Sequence, residues 1–459
     1  MGRVGRERWG QMLLPLLLLC SGLAQAKVPA FATLGEADPS TQGGAMFWRP
    51  GLSAPTGIPG HVAQQIDLGG GRSQLMLTKD GGQSYAAVMN VTTGGSDDDL
   101  AAPGGLGVRL PPRNGSAAAA GTLTTIAGLG GASTAVLQTW QDSGAGLKLT
   151  ANKSATFRGT PPAFSSLSGP SQTVIRTANG SLLLSRFGVA SGGKTLCGGG
   201  GKPCSSLAFF GSDDEGQSWG YLSRIDASAA MAAPDPRHGH SGTNIEGPGQ
   251  ASLALLGDGR VLTAFRLGPG TVGNESTISP YYPGGNQGMN LWKAYSSDGG
   301  SSWTAPVAML GCRGVRHDPK GIWPQLLMLS NGILTLTTGR PNLSFWTSSV
   351  SASKTDPSAG KVADGECWSY AGVSAALPSA PYGKEYGTSG YMGVSEPEPG
   401  VLLLAYDQLP VGPVGGPGPQ HVYAIRVNLT NHKAGAHIQA RRIGSPTPAA
   451  TPATSSEGL

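Results

Sequence analysis

Charge is scarce in this chain: Asp, Glu, Lys and Arg make up 13% of its 459 residues, against about a quarter in an ordinary globular domain. The 32 basic and 27 acidic residues are scattered without long runs of one sign. That excludes the clustered basic face on which nucleic-acid binding rests, despite a net charge of +5. Apolar runs are short everywhere beyond the N-terminus, so no segment is predicted to span a bilayer. The five cysteines form no CxxC or mixed His/Cys spacing, and His238 and His240 of "RHGH" have no third ligand nearby, so neither a metal nor another cofactor is expected.

Glycine and proline are plentiful instead, at 74 and 35 residues. Such a composition approaches that of disordered chains, but "SLLLSRF", "VLTAFRL", "ILTLTTG" and "VLLLAYD" read as short strands between turn residues. A glycine-rich all-β protein with tight connections is the resulting expectation.

At the N-terminus Arg3, Arg6 and Arg8 precede "MLLPLLLLC" and then "AQA" ending at Ala26. A charged region, a short apolar core and a small-residue cleavage site predict a secretory signal peptide over residues 1–26 and a secreted, extracellular protein. Without Cys20, four cysteines remain: Cys197, Cys204, Cys312 and Cys367. An even number in a secreted chain favours disulfides. The local pair Cys197 and Cys204 would leave Cys312 with Cys367, although four cysteines permit three pairings. Seven NxS/T sequons begin at Asn90, Asn114, Asn152, Asn179, Asn274, Asn342 and Asn428, and agree with that compartment without establishing it.

A repeat organises the rest. A turn followed by a strand occurs at Gly180, Gly259, Gly332 and Gly400, in steps of 79, 73 and 68 residues. Ser-x-Asp-x-Gly-x-Ser-Trp is written once from Ser212 to Trp219 and again from Ser296 to Trp303. "TKDGGQSY" keeps the spacing from Asp80 to Tyr85 with tyrosine at its end, and "ADGECW", Asp364 to Trp368, is one residue too short. The aspartate accepts backbone N–H groups across a turn, a glycine takes positive φ, and the aromatic folds back into the core. Each copy is therefore read as a stapled hairpin. Units of about 70 residues that cannot bury their own faces pack radially, so residues 27–440 predict an all-β, six-bladed β-propeller with four-stranded antiparallel blades. Residues 86–165 lack clear copies, which predicts one divergent blade or one broken by a long loop. The Pro/Thr/Ala/Ser-rich stretch 441–459 is expected to be a disordered tail.

These hairpins resemble the Asp-boxes of the sialidase (neuraminidase) superfamily of propeller proteins. The resemblance covers most of residues 45–430 and implies a secreted exo-glycoside hydrolase that removes terminal sialic-acid-type sugars from glycans with retention. In that family a tyrosine nucleophile replaces the usual carboxylate, and three arginines grip the substrate carboxylate. "GTSGYMGVSEPEPG" is similar to the nucleophile stretch, which implies Tyr391. "NIEGPGQASLALLGDGRVLTAFR" implies Glu246 as its base and Arg266 as an arginine ligand, and "ILTLTTGRP" implies Arg340 as another. "FWRPG" lacks the family's isoleucine but offers Arg49 as the first arginine. Asp67 falls where the family's general acid lies, in a poorly matching context. Those two departures sustain an alternative, a non-catalytic sialidase-like propeller that binds glycans or proteins.

Overall fold

The computed structural model describes residues 31–36, 49–69, 72–92, 107–112, 121–127, 134–158, 164–190, 196–197, 202–226, 247–267, 291–313, 315, 318–339, 344–352, 361–370, 391–408, 421–429 and 439–441. The expected signal peptide lies outside them, as does nearly all of the expected tail. Every regular element among them is a β-strand, as composition and turn chemistry predict.

Strand β1 (Phe31–Glu36) is followed by a first meander, β2 (Arg49–Pro55), β3 (Val62–Gly69), β4 (Arg72–Thr78) and β5 (Ala86–Thr92). The second is β6 (Val108–Arg109), β7 (Thr122–Ala127), β8 (Thr134–Asp142) and β9 (Leu147–Arg158). The third runs β10 (Phe164–Arg176), β11 (Leu182–Ala190), β14 (Ser205–Ser212) and β15 (Ser218–Ile225), with the ribbon β12 (Leu196–Cys197) and β13 (Lys202–Pro203) inserted. The fourth is β16 (Pro248–Leu255), β17 (Val261–Leu267), β18 (Leu291–Ser296) and β19 (Val307–Ala308). After β20 (Leu310–Gly311) come β21 (Ile322–Met328), β22 (Leu334–Gly339), β23 (Ser344–Ala352) and β24 (Lys361–Tyr370). The last sheet is β25 (Met392–Glu398), β26 (Val401–Gln408) and β27 (His421–Asn428), completed by β1 on one half of β27 and β28 (Gln439–Arg441) on the other.

The first strands of these sheets pack on one another in the series β2, β6, β10, β16, β21, β25, and β25 packs back on β2. A closed ring of antiparallel sheets results, an arrangement that fits a β-propeller. The N-terminal strand completes the C-terminal sheet, with Phe31 opposite Ile425. That leaves one fewer free edge for unwanted pairing.

Middle strands are buried along nearly their whole length, as in β18 and β22, because a neighbouring sheet covers each face. The axial strands instead carry proline: Pro50, Pro170, Pro248, Pro324 and Pro397 lie in β2, β10, β16, β21 and β25. Proline cannot donate to a ladder and belongs on an edge or at a bulge. These strands are the inner edges of their sheets, and register shifts mark β2, β16 and β21 near their starts.

The hairpins between third and fourth strands hold the ring together. Asp214 Oδ1 accepts from Ser218 N at 2.8 Å and Ser212 Oγ at 2.9 Å, and Trp219 is fully buried below. Asp298 repeats this with Ser302 N at 2.9 Å and Ser296 Oγ at 2.8 Å, and Asp80 with Ser84 N at 2.9 Å and Thr78 Oγ1 at 2.8 Å. Burying one such tryptophan contributes on the order of 4 kcal/mol. Each hairpin seats on the sheet before it: a Cβ at Gly300 would lie 2.7 Å from Leu183 Cδ1, so only glycine permits the approach. The first hairpin seats on the last sheet, where Arg426 Nη1 donates to Asp80 O at 3.3 Å and Nη2 pairs with Glu398 at 3.1 Å.

Residues 108–158 resolve the question of the stretch without motifs. They form a four-stranded meander that joins the third through a parallel pairing of β9 with β15, Trp219 opposite Phe157, into one eight-stranded sheet. The meander has its own hairpin, in which Asp142 precedes buried Leu147 by five residues, the spacing of the other copies. Tryptophan occupies position 140, where serine or threonine stands elsewhere, and the missing donor comes from the preceding sheet. Thr56 Oγ1 donates to Asp142 Oδ2 at 2.8 Å and His61 Nδ1 lies 2.7 Å from the same oxygen. The short copy also has a substitute. Ser348 Oγ accepts Gly365 N at 2.8 Å, Ser349 Oγ bonds Asp364, and Trp368 is fully buried. A disulfide joins Cys312 to Cys367 beside it, where β20 runs parallel to β24. Cys204 is likewise disulfide-bonded.

Candidate functional site

The hairpins and the turns joining first to second strands share one end of the ring. The opposite end is built from the starts of the axial strands and the ends of the second strands. Arg49 opens β2 and faces Asp67 of β3 in register. Arg266, near the end of β17, pairs with Gly249 at the start of β16. Tyr391 immediately precedes β25. Glu246 and Arg340 lie outside the described residues, next to Gly247 ahead of β16 and Gly339 at the end of β22. The backbone therefore brings Arg49, Asp67, Arg266 and Tyr391 to the end away from the hairpins.

Among these, Arg266 is half-buried and Tyr391 is 8% exposed. The Tyr391 ring meets Trp323 edge to face, with centroids 4.6 Å apart and planes at 66°, within an apolar cluster that includes Met392 and Tyr406. Trp323 occupies a bulge of β21 with φ 54°, and Gln250 occupies the matching bulge of β16 with φ 48°. Gln250 Oε1 accepts the Trp323 N–H at 3.1 Å. One strand on, Gln325 Nε2 donates to Met392 O.

The same device continues around the axis. Ser252 Oγ accepts Leu326 N at 2.9 Å, Thr173 Oγ1 accepts Leu253 N at 2.8 Å, and Ser53 Oγ donates to Ser395 Oγ at 2.9 Å. Axial strands have no ladder partner on the inner side, so side chains from the adjacent sheet satisfy donors that would otherwise be buried unpaired.

At the hairpin end, burial opposes ionisation of Asp80, Asp214 and Asp298. Hydrogen bonds from the serine hydroxyl and backbone, and from the threonine or serine before each, outweigh it and hold all three carboxyls below the usual range. Those carboxylates are locked as acceptors and unsuited to proton transfer. Among the described residues no group of three His, Cys, Asp or Glu is arranged to hold a metal ion, and no helix is long and apolar enough to cross a membrane.

No protein-family profile matches the chain, and no curated protein matches it either. Solved structures do. The chain is similar to a protein of unknown function from Dyadobacter fermentans, at 13% identity and a TM-score of 0.48 over 86% of this chain and 96% of that one. It is similar to an alpha-L-arabinanase from Penicillium chrysogenum complexed with arabinobiose, at 13% identity and 0.46 over 86% and 97%. A mutant of NanB sialidase from Streptococcus pneumoniae aligns at 12% identity and 0.46 over 87% and 70%.

Gln250, Trp323 and Gln325 escape a reading of the sequence for titratable and charged groups. The signal that marks their strands is the proline in each axial run, as in "PGQ" and "IWPQ".

Proposed function

We propose that the chain is a secreted six-bladed β-propeller, spanning residues 27–440, that acts as an exo-glycoside hydrolase of the sialidase type on glycans ending in an acidic sugar. One observation carries this reading: Arg49, Asp67, Arg266 and Tyr391, singled out by their motifs, lie at one end of the ring and away from its stapling hairpins.

In this reading Arg266, with Arg49 and Arg340, holds the sugar carboxylate through planar guanidinium forks. Tyr391 attacks the anomeric carbon as Glu246 takes the phenolic proton, and a neutral phenol meets less repulsion from the nearby carboxylate than an ionised Asp or Glu would. Asp67 gives its proton to the departing glycosidic oxygen. Water then attacks the glycosyl-tyrosine from the vacated side, losing a proton to Asp67, while the phenolate recovers its proton from Glu246. Two displacements leave the anomeric configuration retained, and no metal or organic cofactor takes part.

A second reading, a binding propeller without catalysis, is favoured by the packing of Tyr391. A phenol 8% exposed and pressed on Trp323 is also a good core residue. Hydrolysis of a fluorogenic sialoside by the purified protein separates the two. The enzymatic reading expects turnover that falls by about a hundredfold or more in Tyr391→Phe; turnover unchanged by that substitution removes the nucleophile, and no turnover by the parent protein favours binding.

A further inference from the structure

Two non-glycine residues at the axis hold φ values that side chains rarely adopt, Gln250 at 48° and Trp323 at 54°. Each sits in a bulge near the start of its strand. Such backbone costs about 1–3 kcal/mol per residue and persists only where surroundings over-determine it, and bulges re-aim side chains beside working sites. The two bulges are coupled, since the Gln250 side chain accepts the Trp323 N–H at 3.1 Å. The re-aimed Trp323 ring in turn meets Tyr391 at 4.6 Å, and Gln325 of the same strand donates to the carbonyl of Met392, the residue after that tyrosine. Gln250, Trp323 and Tyr391 are 7%, 9% and 8% exposed, so none of the three relaxes into water.

We infer that Gln250 and Trp323 are positioning residues that fix the Tyr391 ring at the end of the ring of sheets away from the hairpins, through a relay crossing three successive sheets. Gln250 sets the peptide of Trp323, and Trp323 sets the ring plane of Tyr391. The inference rests on the proposed role of Tyr391, and it names residues that contact the nucleophile rather than the sugar.

The test places 3-fluorotyrosine at position 391 of the full mature chain and follows its fluorine resonance alongside turnover of the fluorogenic sialoside. Gln250→Ala removes the acceptor together with four side-chain heavy atoms, Gln250→Glu restores an acceptor at nearly the parent volume, and Trp323→Leu removes the ring. Trp140→Phe, in the second sheet, serves as a destabilised control remote from the axis. Expected are a moved or broadened resonance in Gln250→Ala, recovery toward the parent in Gln250→Glu, and kcat lower by about tenfold or more with KM within about twofold. A parent protein that turns over no sialoside overturns the enzymatic reading while the resonance still decides the relay. An unmoved resonance in folded Gln250→Ala, or an equal shift in Trp140→Phe, overturns the relay whatever Trp323→Leu does.

Discussion

His61 Nδ1 lies 2.7 Å from Asp142 Oδ2, joining the turn after the first axial strand to the third strand of the next sheet. Thr56 Oγ1 donates to the same buried oxygen at 2.8 Å. Burial opposes ionisation of Asp142, yet the bonds from Thr56, the Gly144 N–H and His61, with the imidazole's charge, hold the carboxyl below its ordinary range. Asp142→Ala leaves those donors without an acceptor and is expected to cost about 1–3 kcal/mol, read as a lower melting temperature. Replacing exposed Asp213 should move the melt far less.

The hairpin carboxylates set an acid limit. Asp80, Asp142, Asp214 and Asp298 bind protons less tightly folded than unfolded. The unfolded chain therefore takes up more protons in acid, and stability present above the unfolded carboxyl value of about 4 is lost as pH falls through the depressed folded values. Denaturant midpoints measured from pH 7 down to pH 2 should fall below about pH 4, and Asp214→Asn should flatten that fall.

The Cys312–Cys367 disulfide closes a separation of 55 residues. By chain entropy alone a loop of that size contributes about 4 kcal/mol. The double substitution Cys312→Ser with Cys367→Ser should destabilise the protein by roughly that amount, most visibly as hydrogen exchange around β20 and β24.

Trp219 is fully buried and donates Nε1–H to Gly216 O at 3.0 Å. Trp219→Ala is expected to cost about 3–5 kcal/mol in denaturant unfolding. Leu147→Ala, at the same place in the second hairpin, should cost about 2–5 kcal/mol, as befits a working copy of the motif.

How far this architecture is legible in residues varies with the range of the interaction. The hairpins are local, so spacing from Asp to Trp or Tyr finds three of them, and Asp364 to Trp368 appears as a shortened fourth. The Asp142 hairpin is hidden because its donors, Thr56 and His61, come from another sheet and because Leu147 replaces the aromatic. Closure by β1 is hidden for a stronger reason: pairing of Phe31 with Ile425 leaves no local pattern. At the candidate site the motifs single out charged residues, whereas the Gln250–Trp323 contact depends on two bulges that only three-dimensional packing brings into register.

The proposed reaction turns on attack by the Tyr391 phenol on an acidic sugar. The most direct measurement exposes the protein to a fluorinated sialosyl fluoride, which forms the glycosyl-enzyme but slows its hydrolysis, and then maps the adduct by peptide mass spectrometry. One added sugar is expected on the peptide containing Tyr391, lost in Tyr391→Phe. A label on another residue, or none on folded protein, would contradict that reaction.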